Sequence, residues 1–380
     1  MRCNVFFLAL AAVPSLSLAL SINLEQRGKL LSSDEQVEYA RRRADSLVRR
    51  ARDVEHTATY DLWQDGPYAW AAQLDVGANK ERVKLFIDTT YPNIVMETDA
   101  YDMKNSSSAK NTGKKGTAEF FTLGAPFSGD IYTDTVRYGN LTSESQMFLA
   151  VNKSVVFIRE PRGIFGLGPK SNNAFTKQDF NNDTSKTFFG KLKDTKQLAK
   201  NVYQLTIQLG GGKLTMGEID DLQYEGKLAE FDMSRDYLGV WGQVNGQEAR
   251  YMAFDSGSGY TMAPAADAKR FLSSLEGVEV VEVPELGQVK GFYQCDSPPP
   301  SIRFKFGDLE VPLSKRIMKI TPVHAEPTKC LIPIMGYDKV KDLGDKTWIV
   351  GTTLLEHVSL IYDGDANKIR IGRQSMNMNN

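Results

Sequence analysis

The segment Leu85-Phe86-Ile87-Asp88-Thr89-Thr90 has a counterpart in Met252-Ala253-Phe254-Asp255-Ser256-Gly257. In each, one Asp follows an apolar run and precedes small, hydroxylated residues. The two Asp residues lie 167 positions apart (255 − 88), about one domain length. An Asp-Thr or Asp-Ser-Gly triplet alone says little, because any turn can supply it. Its weight here comes from the repeat. An Asp on a tight loop after a buried strand is held rigidly, and small neighbours let two such loops approach. The Thr89 and Ser256 hydroxyls can then bond across to the opposite backbone, with Gly257 beside them. Two carboxylates held that close cannot both ionise cheaply, so they share a proton. One is then a base for a water and the other an acid for a carbonyl or leaving amine.

The 380 residues suggest two or more domains, and a net charge of −1 gives no electrostatic reason to expect nucleic acid. Residues 1–19 read as a secretory signal: Arg2, an apolar stretch Val5–Val13, and a small-x-small end at Ser17-Leu18-Ala19. The alternative, an N-terminal membrane anchor, is disfavoured by Pro14 and the serines, which keep the apolar stretch short. No later segment is apolar enough to span a bilayer. A secreted, extracellular protein is expected, or one delivered to a lysosome-like compartment. Asn105, Asn140, Asn152 and Asn182 begin N-x-Ser/Thr sequons and are glycosylation candidates.

Removing the signal removes Cys3, leaving Cys295 and Cys330, which an oxidising compartment favours pairing. A cysteine nucleophile is therefore not expected. His56, His324 and His357 are not spaced as a metal-ligand set, so neither a metal nor another cofactor is expected.

Residues 20–58 differ from the rest. Ser33-Asp34-Glu35-Gln36 forms a capping box, followed by Val37, Ala40, Ala44, Val48 and Ala51 at helical spacing. The opposite face is basic. It reads either as a solvated helix or as a prosegment that covers an acidic cleft until cut, with Arg41-Arg42-Arg43 and Arg49-Arg50 as processing sites. From about Tyr60 the texture is β: Val83–Ile87, Val155–Ile158, Val202–Leu209, Lys213–Met216, Ile302–Phe306 and Leu360–Tyr362 are short strands broken by turn residues. Ala265–Leu275, after Pro264, is the best later helix, while Lys104–Gly116 and Ser171–Lys186 read as long exposed loops. Trp70, Trp241 and Trp348 are expected in the core or lining a cleft.

From about Tyr68 to Arg373 the chain resembles the pepsin-like aspartic protease family. The resemblance extends beyond the two Asp motifs to Gly163-Ile164-Phe165-Gly166-Leu167-Gly168 and Trp348-Ile349-Val350-Gly351-Thr352-Thr353-Leu354-Leu355. It continues in Gly211–Asp220, in Leu360-Ile361-Tyr362-Asp363 with Asn367-Lys368-Ile369, and in Cys295 and Cys330, which match that family's second-lobe disulfide. It implies an all-β, bilobal fold with a cleft between the lobes: an N-terminal lobe over 59–222 and a C-terminal lobe over 223–380. Asp88 and Asp255 would be the catalytic carboxylates, sharing a proton as is well known for that family. Thr89, Ser256 and Gly257 would support them. A monomer is expected, binding a peptide or protein substrate and its own prosegment, under a flap hairpin within Phe120–Val136.

The departures concentrate in the first lobe. Where the family has Asp-Thr-Gly-Ser, this chain has Asp88-Thr89-Thr90-Tyr91, losing the Gly that permits close backbone approach. Val95 replaces a Trp, and an ungapped register puts Thr122 where the flap Tyr belongs, a shifted one Phe120 or Phe121. The first-lobe disulfide is absent. Retention of both Asp residues points to a secreted aspartic endopeptidase using dyad-activated water; the alternative is a catalytically impaired homologue that binds peptide or protein.

Overall fold

The computed structural model describes residues 56–64, 68–118, 126–152, 161–169, 187–234, 237–319, 322–323 and 326–375. The signal, the basic segment to position 55, the Val155–Ile158 strand, the 171–186 loop, Asn182, Thr122 and His324 lie outside them.

The molecule is built from strands in three sheets. The first lobe is an eight-stranded sheet that includes Trp70–Val76, Glu81–Asp88, Ile94–Glu97, Phe127–Tyr138, Leu141–Val151 and Gly163–Gly166. The second lobe is a larger sheet that includes Arg250–Phe254, Thr261–Ala263, Gln288–Gln294, Ile334–Tyr337 and Thr347–Val350. Both centres repeat one arrangement. Glu81–Asp88 runs parallel to Gly163–Gly166, which runs antiparallel to Ile94–Glu97. Arg250–Phe254 runs parallel to Thr347–Val350, which runs antiparallel to Thr261–Ala263. The Asp of each repeated motif therefore stands at the end of a central strand: Asp88 closes Glu81–Asp88, and Asp255 follows Arg250–Phe254. The last four residues of Glu81–Asp88 and all of Arg250–Phe254 are buried, which is why these runs are apolar without alternation.

A third, antiparallel sheet joins the halves. Its order is Ala58–Asp61, Gly211–Met216, Val202–Gln208, Val358–Asp363, Lys368–Gln374 and Tyr224–Asp232. The apolar core runs continuously through both lobes.

The sequence expectations fare unevenly. The helix after Pro264 spans Ala265–Ser273. Cys295 and Cys330 are bonded, with S–S 2.05 Å. Trp70 and Trp348 are buried, whereas Trp241 is half exposed above Tyr251. The loop expected over Lys104–Gly116 is a correction: Lys110–Ala118 is a strand paired with Phe127–Tyr138. Its first six residues are exposed, so it carries no apolar alternation, and backbone pairing at the sheet edge forms it regardless. Asn105, Asn140 and Asn152 are exposed. No helix among the described residues is long and apolar enough to cross a membrane.

Candidate active site

Each Asp loop is cradled by the glycine-containing strand end beside it. In the first lobe, Gly166 N donates to Asn93 O at 3.1 Å and Leu167 N to Asp88 O at 2.8 Å. A Cβ at Gly166 would lie 2.4 Å from the Asn93 and Tyr91 carbonyl oxygens. In the second lobe, Asp255 N donates to Val350 O at 2.9 Å, and a Cβ at Gly351 would meet Tyr260 O at 2.4 Å. Glycine is required at both places for the same steric reason: the loop backbone fills the space a side chain would need.

The two loops are cross-bonded. Thr89 Oγ1 donates to Phe254 O at 2.8 Å and accepts from Ser256 N at 3.0 Å. Reciprocally, Ser256 Oγ donates to Ile87 O at 2.8 Å and accepts from Thr89 N at 3.1 Å. Four bonds between residues of separate lobes fix the spacing of the loops, and all are buried. Asp88 and Asp255 are brought together at their centre, each 7% exposed.

The hydrogen bonding of the pair is unequal. Asp88 Oδ1 accepts from Thr90 N at 2.8 Å, Tyr91 N at 2.8 Å and Thr90 Oγ1 at 2.7 Å. Asp255 Oδ1 accepts from Gly257 N at 2.8 Å and, more distantly, from Thr90 Oγ1 at 3.3 Å. Burial raises the Asp88 carboxyl, while the three donors oppose the rise. Asp255 is raised well above the usual carboxylate range, by burial first and by the Asp88 charge second. The asymmetry favours Asp88 as the anion and Asp255 as the proton carrier.

Thr90 is the feature that the sequence only half revealed. It is visible as a missing glycine, but the bridging hydroxyl is not, because the second carboxylate arrives from the other lobe. At the corresponding position in the second loop, a Cβ on Gly257 would lie 2.7 Å from Asp88 Oδ2 and 3.0 Å from Asp255 Oδ1. A side chain at this position therefore projects between the carboxylates. Tyr91 uses its backbone N–H on Asp88, with its ring buried in the first lobe. Ser258, which follows the second motif, donates to Tyr260 O at 3.0 Å.

A residue that no motif singles out also reaches the second loop. Tyr68, from the first half of the chain, packs its ring over Gly259, where a Cβ would lie 2.8 Å from it, and against Tyr260 at 5.0 Å between centroids. Among the described residues, no group of three His, Cys, Asp or Glu side chains is placed to hold a metal ion.

Comparison with known proteins agrees with this architecture. Residues 69–374 match the family model described as "Eukaryotic aspartyl protease". A "Probable inactive secreted aspartyl protease" of Malassezia globosa is 32% identical over 314 residues, covering 81% of this chain and 79% of that protein. "Secreted aspartyl protease 1" of the same organism is 24% identical over 395 residues, covering 95% of this chain and 94% of that one. "Secreted aspartic protease 1" of Candida albicans is 24% identical over 342 residues, with 80% and 81% covered. Duplicated Asp loops cross-bonded between two β lobes, together with a family match over most of the chain, place this protein in the eukaryotic aspartyl protease family.

Proposed function

We propose that this is a secreted pepsin-fold protein with an assembled acid pair whose hydrolytic water is displaced by Thr90, and that its cleft binds extended polypeptide with little or no cleavage. One observation carries the reading. The Thr90 hydroxyl lies within hydrogen-bond distance of both carboxylates, 2.7 Å from Asp88 Oδ1 and 3.3 Å from Asp255 Oδ1. A water activated by the pair must sit between the two carboxylates, the space into which a side chain at this loop position projects. The likeness to a Malassezia globosa protein described as probably inactive is consistent with this, and the secreted relatives support export of this chain as well.

The second reading, an aspartic endopeptidase, is favoured by the intact cross-bonds and by the raised carboxyl of Asp255, both of which a working dyad uses. In that case Asp88 activates water, Asp255 supplies the proton, and Thr89, Ser256 and Gly257 hold them in place.

Thr90→Gly separates the two. Mature protein and variant are incubated with denatured protein at acid pH, with Asp255→Asn as control. Restored water activation raises cleavage by the Gly variant at least about 100-fold, the usual scale of a general acid–base contribution. Equal, Asp255-dependent cleavage by both proteins would instead establish the endopeptidase.

A further inference from the structure

The second Asp loop is backed by a short helical turn, Thr352–Leu355, which follows the strand Thr347–Val350. At the start of this turn Thr352 N donates to Ser258 O at 2.7 Å and Thr353 N to Gly259 O at 3.3 Å. These carbonyls lie three and four residues after Asp255. At its other end the turn runs into Glu356 and His357, which are held by the neighbouring helix Lys315–Lys319. His357 Nε2 accepts from Ser314 N at 2.9 Å, and the Glu356 carboxylate pairs with Arg316. Glu356 is buried, and Arg316 Nη1, Glu356 Oε1 and His357 Nδ1 are buried atoms with no hydrogen-bond partner among the described residues. Nothing in peptide hydrolysis calls for this cluster.

Chemistry restricts the imidazole. A ring nitrogen that accepts an N–H must be unprotonated, and protonation sets donor against donor. We propose that His357, with Ser314, Arg316 and Glu356, forms an acid-sensitive clamp that positions the second Asp loop: the neutral imidazole locks the turn behind the loop, and protonation releases it. The inference rests on reading the Asp255 loop as one wall of the binding cleft. His357 is a positioning residue, acting through Thr352 and Thr353.

The surroundings set the direction. Burial pushes the imidazole down to about 4, Arg316 acts in the same sense, and the Leu354 and Thr353 carbonyls oppose. From the strand Lys368–Gln374, Gln374 N donates to the His357 main-chain carbonyl at 3.0 Å, and Arg373 donates to Glu310 O at 2.9 Å. The clamp is therefore complete above the ordinary histidine value of 6.5, weakens as pH falls, and is lost below about 4. Glu356 is raised by burial, so its protonation works in the opposite sense.

Hydrogen exchange on the full-length secreted protein tests the proposal, with rates corrected for the intrinsic pH dependence of exchange. His357→Gln supplies an amide oxygen that can accept Ser314 N–H without titrating. In the wild type, protection across 351–357 and 255–260 should fall roughly a hundred-fold between pH 6.5 and 4, the scale set by a displacement of that size. In the Gln variant it should change only a few-fold. Parallel loss in both proteins, or no loss in the wild type, overturns the clamp. If the variant does not fold, proton NMR titration of the wild type decides among only three histidines. A His357 ring titrating near 4 as the Ser314 amide shifts supports the clamp, and one titrating at or above 6.5 overturns it. Neither readout depends on cleavage, so the clamp and the Thr90 reading fail separately.

Discussion

At the residue scale, the carboxylates are held together by bonds that do not involve the carboxylates. Thr89 and Ser256 span the lobes, so the pair stays close at whatever electrostatic cost burial imposes. That cost falls on Asp255, which has one close backbone donor where Asp88 has two. Its folded-state carboxyl is raised, so the protonated form is the one the fold favours. The associated stability is complete at low pH and is lost as pH rises through the folded value. Asp255→Asn keeps an acceptor for Gly257 N and removes the charge. The variant should match the wild type near pH 3 and exceed it by about 1–3 kcal/mol at pH 7, the usual range for relieving a buried polar group. Chemical denaturation at the two pH values measures this, and parallel profiles would show that Asp255 carries no such penalty. The Asp residues were legible because the motif repeats. The Thr90 bridge was not, since its second acceptor is placed by the meeting of two lobes and not by local sequence.

At the element scale, legibility follows whether side chains or backbone define the element. The central strands announce themselves as apolar runs because both their faces are buried. The edge strand Lys110–Ala118 is polar and forms through backbone pairing, so no pattern marks it. The helix Phe188–Asp194 was missed because two turns are too short to establish a period. Its signals are Thr187, whose side chain accepts from Gly190 N, and the buried Phe188, Phe189 and Leu192. The disulfide was readable once the signal, and Cys3 with it, is set aside, because an oxidising compartment then pairs the two remaining cysteines. It ties the end of Gln288–Gln294 to Glu326–Leu331, where Tyr293 already pairs with Cys330. With a sequence separation of 35, chain-entropy reasoning predicts that the Cys295→Ser/Cys330→Ser double variant loses about 3–4 kcal/mol. Urea denaturation checks this. A loss under about 1 kcal/mol would mean that strand pairing alone restrains the unfolded chain as strongly.

At the scale of the whole molecule, the third sheet determines whether the lobes unfold together. Val202–Gln208 from the first half pairs with Val358–Asp363 from the second, and the contact is polar as well as apolar. Gln204, fully buried, donates from Nε2 to Ser359 Oγ at 2.8 Å and to Asp220 O at 3.2 Å, and it accepts from Asp220 N at 2.6 Å. Thr206 donates to Gln223, which donates to Thr215. A buried network of this kind specifies one register, because a slipped sheet would strand several polar groups at once. Gln204→Leu preserves approximate volume and leaves Asp220 N without its side-chain acceptor, at a cost of about 1–3 kcal/mol. For a protein of 380 residues that lowers the melting temperature by about 1–4 °C. Because both lobes contribute strands to the sheet, calorimetry of the variant should still show one transition, moved as a whole. Two resolved transitions would mean that the shared sheet does not couple the lobes, and that the Asp88–Asp255 spacing depends on the Thr89 and Ser256 cross-bonds alone.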